Sequence, residues 1–256
     1  MRYLKIIPII LWKALFMLNF ILSMIVLYPI FYFLLAKKER FPQAFRLKKI
    51  WARWIFIIPG IFTKIKYTTS SNKLPQPAVY CANHGSYLDI IAGYLVIPNY
   101  FVSMGKKELG RVPLFRSFFK EMNILVDRKS ITGSHKAFVQ AGEQLEKGNS
   151  IFLFPEGGIL SNTGKLHNFK NGAFKLAIDK QVPIIPITFL NNWRLFQNGV
   201  LIRTHGRPGI SRVIVHEPIP TVGMTSNDLV SLRTKVYDII QNELNNYNNS
   251  IKKPIN

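Results

Sequence analysis

Cysteine is nearly absent from this chain of 256 residues: Cys81 stands alone, so neither an intrachain disulfide nor a cysteine-rich metal site can be built. A lone thiol suits a reducing compartment, and its place in the apolar run 78–82 reads as a small buried hydrophobe in preference to a nucleophile. Acidic residues are scarce too, with 13 Asp and Glu against 34 Lys and Arg, a formal charge of +21. That surplus suits a polyanion: nucleic acid, an anionic membrane or an acidic substrate. No Gly-x-Ser-x-Gly elbow occurs, which disfavours a serine hydrolase of that type. No P-loop, glycine-rich dinucleotide fingerprint, metal-ligand cluster or internal repeat is present either.

Charge is also missing from residues 14–36, a run rich in Leu, Phe, Ile and Met. As a helix rising 1.5 Å per residue it extends roughly 35 Å, enough to cross the hydrocarbon core of a bilayer. It is too long for the core of a secretory signal, and no small-x-small cleavage site precedes the basic stretch. Pro8 and Pro29 interrupt the apolar region, and basic residues flank it on both sides, with Arg2, Lys5 and Lys13 before and Lys37, Lys38, Arg40, Arg46, Lys48 and Lys49 after. Positive charge on both sides fits a helical hairpin that dips into one leaflet. A single span is the other reading, and its heavier basic load after residue 36 puts the rest of the chain in the cytoplasm. The stretch 50–58 mixes Trp51, Arg53 and Trp54 with aliphatics, as interfacial segments and core-packed helices both do.

The chemistry-bearing residues come later. Asn83-His84-Gly85-Ser86-Tyr87-Leu88-Asp89 sets an imidazole and a carboxylate five positions apart, where the apolar strand 78–82 gives way to a helix marked by Leu88, Ile91, Ala92 and Leu95. Such a pair can take a proton from a hydroxyl. The same residues fit a capping box, Ser86-x-x-Asp89, in which the carboxylate only satisfies backbone donors. A second buried strand, 150–154, runs into Pro155-Glu156-Gly157-Gly158. Its glycines allow close backbone approach to a ligand, and Glu156 can accept hydrogen bonds from hydroxyls; an ordinary strand-end turn has the same composition.

Taken together, Asn-His-x4-Asp followed by Phe-Pro-Glu-Gly resembles the glycerolipid acyltransferase family, best known for 1-acyl-sn-glycerol-3-phosphate acyltransferases. Between the two motifs, Lys107-Glu108-Leu109, Pro113 and Ile124-Leu125-Val126-Asp127-Arg128 are similar to the family's second block. After them, Phe169-Lys170-Asn171-Gly172-Ala173-Phe174 and Val182-Pro183-Ile184-Ile185-Pro186-Ile187 are similar to its lysine-containing segment and fourth block, so the resemblance covers about 77–191. One departure stands out: where the family reads Phe-Pro-Glu-Gly-Thr-Arg-Ser, this chain has Gly158 and Ile159 and lacks the arginine. Lys165, His167 and Lys170 follow closely as replacement charge, without a guanidinium fork.

The resemblance implies acyl transfer from a thioester to the hydroxyl of a lysophospholipid. An alcohol needs a general base at neutral pH, and imidazole, with an ordinary pKa of about 6.5, is suited to the task. His84 is then the base and Asp89 its orienting partner. Gly157 and Gly158 are candidates for binding the acceptor or the oxyanion; Arg128 is the first candidate for the acceptor's phosphate and Lys170 the second. The resemblance implies no metal and no cofactor, with acyl-CoA or an acylated carrier protein as co-substrate. Membrane lipids, not nucleic acid, are the expected partners, and the catalytic domain is expected on the cytoplasmic face. Two alternatives stay open: the same fold with another acceptor, such as an acylated amino acid, and a basic membrane-bound binding protein without catalysis.

Apolar runs near Ala78, Ile124, Ile151, Ile184 and Val213 alternate with helical patterns over 134–145, 169–179 and 226–244. This predicts an α/β fold, a mixed sheet covered by helices, with an N-terminal membrane-anchoring segment or hairpin. Residues 1–60 form the expected anchoring region and 61–250 the acyltransferase domain, with no linker rich in Gly, Ser or Pro across 77–244. The tail from Asn245 reads as loosely ordered.

Overall fold

The computed structural model describes residues 2–69, 74–111, 122–160, 163–200 and 204–251; Pro113 and Ser161 of the motif blocks lie outside them, as does the side chain of Leu109. A seven-stranded sheet runs in the order β1-β7-β6-β2-β5-β3-β4, comprising β1 (Ile61–Tyr67), β2 (Val79–Ala82), β3 (Phe101–Lys106), β4 (Asn123–Val126), β5 (Ser150–Leu153), β6 (Ile184–Phe189) and β7 (Gly209–Val215). All neighbours are parallel except β6 and β7, so the sheet is mixed. The central strands β2, β5 and β6 are buried at every residue, as strands covered on both faces must be, and they read in sequence as unbroken apolar runs.

Two strands escape that signal. On β1, Ile61 and Ile65 point inward while Phe62, Lys64 and Lys66 face out, an edge strand protected by lysines. Strand β3, Phe-Val-Ser-Met-Gly-Lys, is too mixed to stand out. Helices α3 (Leu88–Val96), α4 (Ile131–Glu146), α5 (Gly172–Asp179), α6 (Asn192–Leu195) and α7 (Leu229–Ser250) connect and cover the strands. Ser130 caps α4 by accepting the Gly133 N–H, and Ala137, Ala141 and Leu145 below it turn one face to the core. Helix α7 buries Leu232, Val236, Ile240 and Leu244 at helical spacing. It continues to Ser250, past the expected fraying at Asn245, because Leu244 is buried and Tyr247 packs on the same cluster.

At the N-terminus, α1 (Arg2–Leu35) is one continuous helix that runs through both Pro8 and Pro29, so neither proline breaks the apolar run. A single 3-10 turn, Lys38–Arg40, reverses the chain into α2 (Phe41–Ile57). The two helices form a hairpin: Phe20 stacks on Trp51 at 5.5 Å, and the Trp51 indole donates to Ser23 Oγ at 2.8 Å. Phe16, Met24, Phe31 and Leu35 are buried, whereas Leu11, Leu15, Leu18, Leu22, Ile25 and Val26 are exposed. Residues 7–35 are long and apolar enough to cross a membrane. The hairpin packs on the sheet face that carries Tyr80, Ala82 and Ile187; the other face carries Cys81, Ile151 and Ile184 under α4, α5 and α7.

Candidate active site

Strand β2 delivers the first motif. Just past its end, the Asn83 side chain pairs with Phe189 in both directions, donating to the carbonyl at 3.0 Å and accepting the N–H at 2.8 Å. This prolongs the β2–β6 ladder by a side-chain rung and fixes where the chain turns. His84 follows with its side chain 9% exposed, its Nδ1 3.2 Å from Asp89 Oδ2. That contact leaves Nε2 as the ring nitrogen for the cavity that His84 helps to line. The imidazole lies flat on Phe154, ring centres 3.8 Å apart.

Asp89 makes both sets of contacts that the sequence leaves open. Its Oδ2 accepts the N–H groups of Gly85 and Ser86, each at 2.8 Å, as a first-turn carboxylate does, and the same oxygen faces His84. Capping therefore aims the carboxylate at the imidazole. Ser86 is fully buried, and its hydroxyl donates to the Phe196 carbonyl at 2.7 Å and accepts the Leu88 N–H at 3.2 Å. Cys81 is buried in the core opposite, where burial pushes its thiol well up and away from thiolate chemistry.

The second motif comes off β5. Glu156 is expected to receive substrate hydroxyls, but the carboxylate turns inward: it is 3% exposed, with Oε1 accepting the His84 N–H at 2.7 Å and Oε2 the His167 N–H at 3.0 Å. Both oxygens are occupied by backbone donors, so Glu156 fastens three segments together. Burial pushes its pKa up to about 7, against the pull of those two N–H groups, with the Asp89 charge adding to the rise. Gly157 is not a free oxyanion donor, because its N–H closes a turn onto the Phe154 carbonyl at 3.0 Å. Its φ of +82° favours glycine, and a Cβ there would meet Lys170 Nζ at 2.9 Å.

Arg128 donates through Nη1 to the Gly157 carbonyl and lines a cavity of about 300 Å³ with His84, Lys106, Gly158 and Ile159. Asp127 does not compete for it. Its carboxylate pairs with Lys107 at 3.2 Å, and that ammonium, with the Lys129 N–H, holds it below the usual carboxylate range. Lys170 lies over Gly157 and is not among the cavity's walls; Lys165 is exposed on the same loop. The structure thus brings His84, Asp89, Arg128 and Gly158 together and leaves Lys170 at the margin.

A second cavity of about 290 Å³ shares Tyr87, Ile90, Tyr94 and Ser103 with the first and extends beneath the hairpin, walled by Phe16, Phe20, Trp51, Ile55 and Phe196. Its lining is mainly aromatic and aliphatic, with Lys48, Ser103 and Asn123 as the polar exceptions, so it suits a hydrocarbon chain. Sequence reasoning also missed Asn192, buried beside Asp89 and donating to its Oδ1 at 2.8 Å. Asn191-Asn192 follows an apolar strand, a pattern that reads as an ordinary strand-end turn. Among the described residues no group of three His, Cys, Asp or Glu converges to hold a metal ion.

The model of a family described as Acyltransferase matches residues 64–190. The chain is 32% identical over 175 residues to the chloroplastic 1-acyl-sn-glycerol-3-phosphate acyltransferase LPAT1 of Arabidopsis thaliana, covering 68% of this chain and 48% of that protein. It is 30% identical over 216 residues to the 1-acyl-sn-glycerol-3-phosphate acyltransferase of Haemophilus influenzae, covering 79% of this chain and 83% of that one. The chain spans about half the length of the chloroplast relatives it matches, 48% for LPAT1 and 52% for BAT2 of Brassica napus. The crystal structure of the 1-acyl-sn-glycerophosphate acyltransferase PlsC from Thermotoga maritima shares the fold, with a TM-score of 0.76 over 100% of both chains at 19% identity.

Proposed function

This chain belongs to the glycerolipid acyltransferase family, and from that premise we propose that it moves a fatty acyl group from an acyl thioester to the free hydroxyl of 1-acyl-sn-glycerol-3-phosphate. The product is phosphatidic acid, the entry to phospholipid biosynthesis. The observation that carries this reading is the His84–Asp89 pair, at 3.2 Å, set on a cavity that continues into an apolar chamber.

Nδ1–H of His84 donates to Asp89, and Nε2 takes the proton of the acceptor hydroxyl as its oxygen bonds to the thioester carbonyl carbon. The tetrahedral adduct collapses by breaking the C–S bond, and the departing thiolate receives the proton from Nε2. The attacking group is the substrate's own hydroxyl, so no protein nucleophile is needed, and the balance calls for no metal or cofactor. Phe154 excludes water from one face of the imidazole. Arg128 and the Gly158 backbone receive the phosphate end, and the apolar chamber holds an acyl chain. The donor is acyl-CoA or an acylated carrier protein, either of which suits a basic surface.

Residues 1–60 serve as the membrane-anchoring region and 61–250 as the catalytic domain. The exposed apolar stripe of α1 sits in lipid, and the catalytic domain faces the cytoplasm. Ile159, at the place of the family's motif arginine, favours a second reading in which the acceptor is not a glycerophosphate. Detergent-solubilised protein incubated with labelled acyl thioester and a panel of lysophospholipids and acylated amino acids separates the two. Phosphatidic acid as the preferred product supports the first reading; transfer to an acylated amino acid in its place supports the second, and no transfer to any acceptor in the panel rejects both.

A further inference from the structure

We propose that Asn192 is a positioning residue for the His84–Asp89 pair, holding the Asp89 carboxylate by the oxygen that His84 does not use, and that Ser211 holds Asn192 in turn. This rests on His84 acting as the general base, as proposed above. Residue 192 lies beyond the segment 64–190 matched by the family model.

Asp89 is 1% exposed, and a carboxylate so deep must have its oxygens hydrogen-bonded to stay ionised. Oδ2 is served by His84, Gly85 and Ser86. For Oδ1 the donor is Asn192 Nδ2, at 2.8 Å. The direction of that amide is fixed by the carboxylate, which can only accept: Nδ2 must be the atom turned to Asp89, and Asn192 Oδ1 then accepts the Ser211 hydroxyl at 2.6 Å. Asn192 and Ser211 are 1% and 0% exposed, which leaves water no ready route to replace either bond. The preceding Asn191 fastens the backbone to the same strand, donating to the Ile210 carbonyl and accepting the Arg212 N–H, each at 2.8 Å. Strand β7 thereby aims an amide at the carboxylate from a rigid base. Four hydrogen bonds to Asp89, one of them to His84, hold its charge without a metal or a buried arginine.

Without the Asn192 donor, Oδ1 of the buried Asp89 carboxylate loses its partner, and the carboxylate is no longer held in its alignment with His84. The near-isosteric Asn192→Leu variant should keep the fold, lower kcat at least about tenfold, leave KM for the acyl thioester within about twofold, and displace the acid limb of the pH profile from its wild-type position. Ser211→Ala should move the limb in the same direction with a smaller fall in kcat. A packing role alone would alter thermal stability and leave the limb in place. A folded Asn192→Leu with normal kcat and an unmoved limb overturns the proposal; if that variant does not fold, an unmoved limb in Ser211→Ala does so. Nitrogen NMR of labelled His84 across pH reads the same shift without turnover, so the positioning role stays testable even if the acyl acceptor proves to be different.

Discussion

The backbone N–H of His84 donates to Glu156 Oε1 at 2.7 Å, joining the two motif loops through a single buried carboxylate. Because the other oxygen holds His167, Glu156 fixes the backbone from which the His84 imidazole projects. Its raised pKa makes this tie sensitive to pH. Below about 4.5 Glu156 is protonated in both folded and unfolded chains; between that pH and about 7 the folded state retains the proton and the unfolded state loses it. Stability contributed by this group is therefore lost as pH rises through that window, by at most about 3 kcal/mol. Glu156→Gln should flatten this part of the wild-type stability curve, as read by thermal unfolding at stepped pH. It should also lower turnover, since an amide cannot accept from both N–H groups. An unchanged slope in the variant counts against the assignment.

Changing His84 to Ala should reduce turnover by at least about a hundredfold with the fold intact, the lower end of general-base contributions. Asp89→Asn should be impaired in activity as well. Cys81→Ala should stay active, because the thiol lies in the core on the far side of the sheet. Near-normal acyl transfer by a folded His84→Ala protein would defeat the mechanism.

Arg128→Ala should remove a charge-assisted contact of about 1.5–3 kcal/mol, a roughly 10- to 150-fold fall in kcat/KM for lysophosphatidate. The loss should shrink for an acceptor without a phosphate, and Arg128→Lys should recover only part of it. Equal, small effects on both acceptors would turn attention to Lys106, which lines the same cavity.

Membrane attachment should survive high salt and require detergent, since salt screens the basic surface but leaves apolar insertion untouched. Single cysteines placed at Ile7 and Ile58, the outer ends of the two arms, in a Cys81→Ala background should label from the same side of a sealed vesicle if the α1–α2 hairpin enters one leaflet. Labelling from opposite sides indicates a crossing. Complete release by salt alone rejects both arrangements.

Much of the site is legible in the sequence because it sits at the ends of continuous apolar strands. Strands β2 and β5 are buried on both faces, so their composition marks them, and the motifs begin where that composition stops. What each side chain touches is less legible. Glu156 looks like a ligand for hydroxyls because a carboxylate beside two glycines commonly is one; only the fold reveals that two distant N–H groups have already claimed it. Asn192 is 103 positions from Asp89, a distance over which local pattern says nothing. Strand β1 is hidden by Lys64 and Lys66, whose edge position lets them face out, and β3 by its serine and glycine.

The α1 hairpin is not a detachable module. Trp12 donates its indole N–H to the Pro59 carbonyl at 2.7 Å, Lys13 reaches the Gln197 carbonyl at 2.9 Å, and Phe16 lies against Phe196, whose own carbonyl receives the Ser86 hydroxyl of the loop that carries His84. The same helix walls the apolar chamber. Replacing it with an unrelated helix would leave the chamber open and the His84 loop without its outer brace. The exposed apolar stripe and the wall of the chamber belong to one helix here, so neither can be exchanged without disturbing the other.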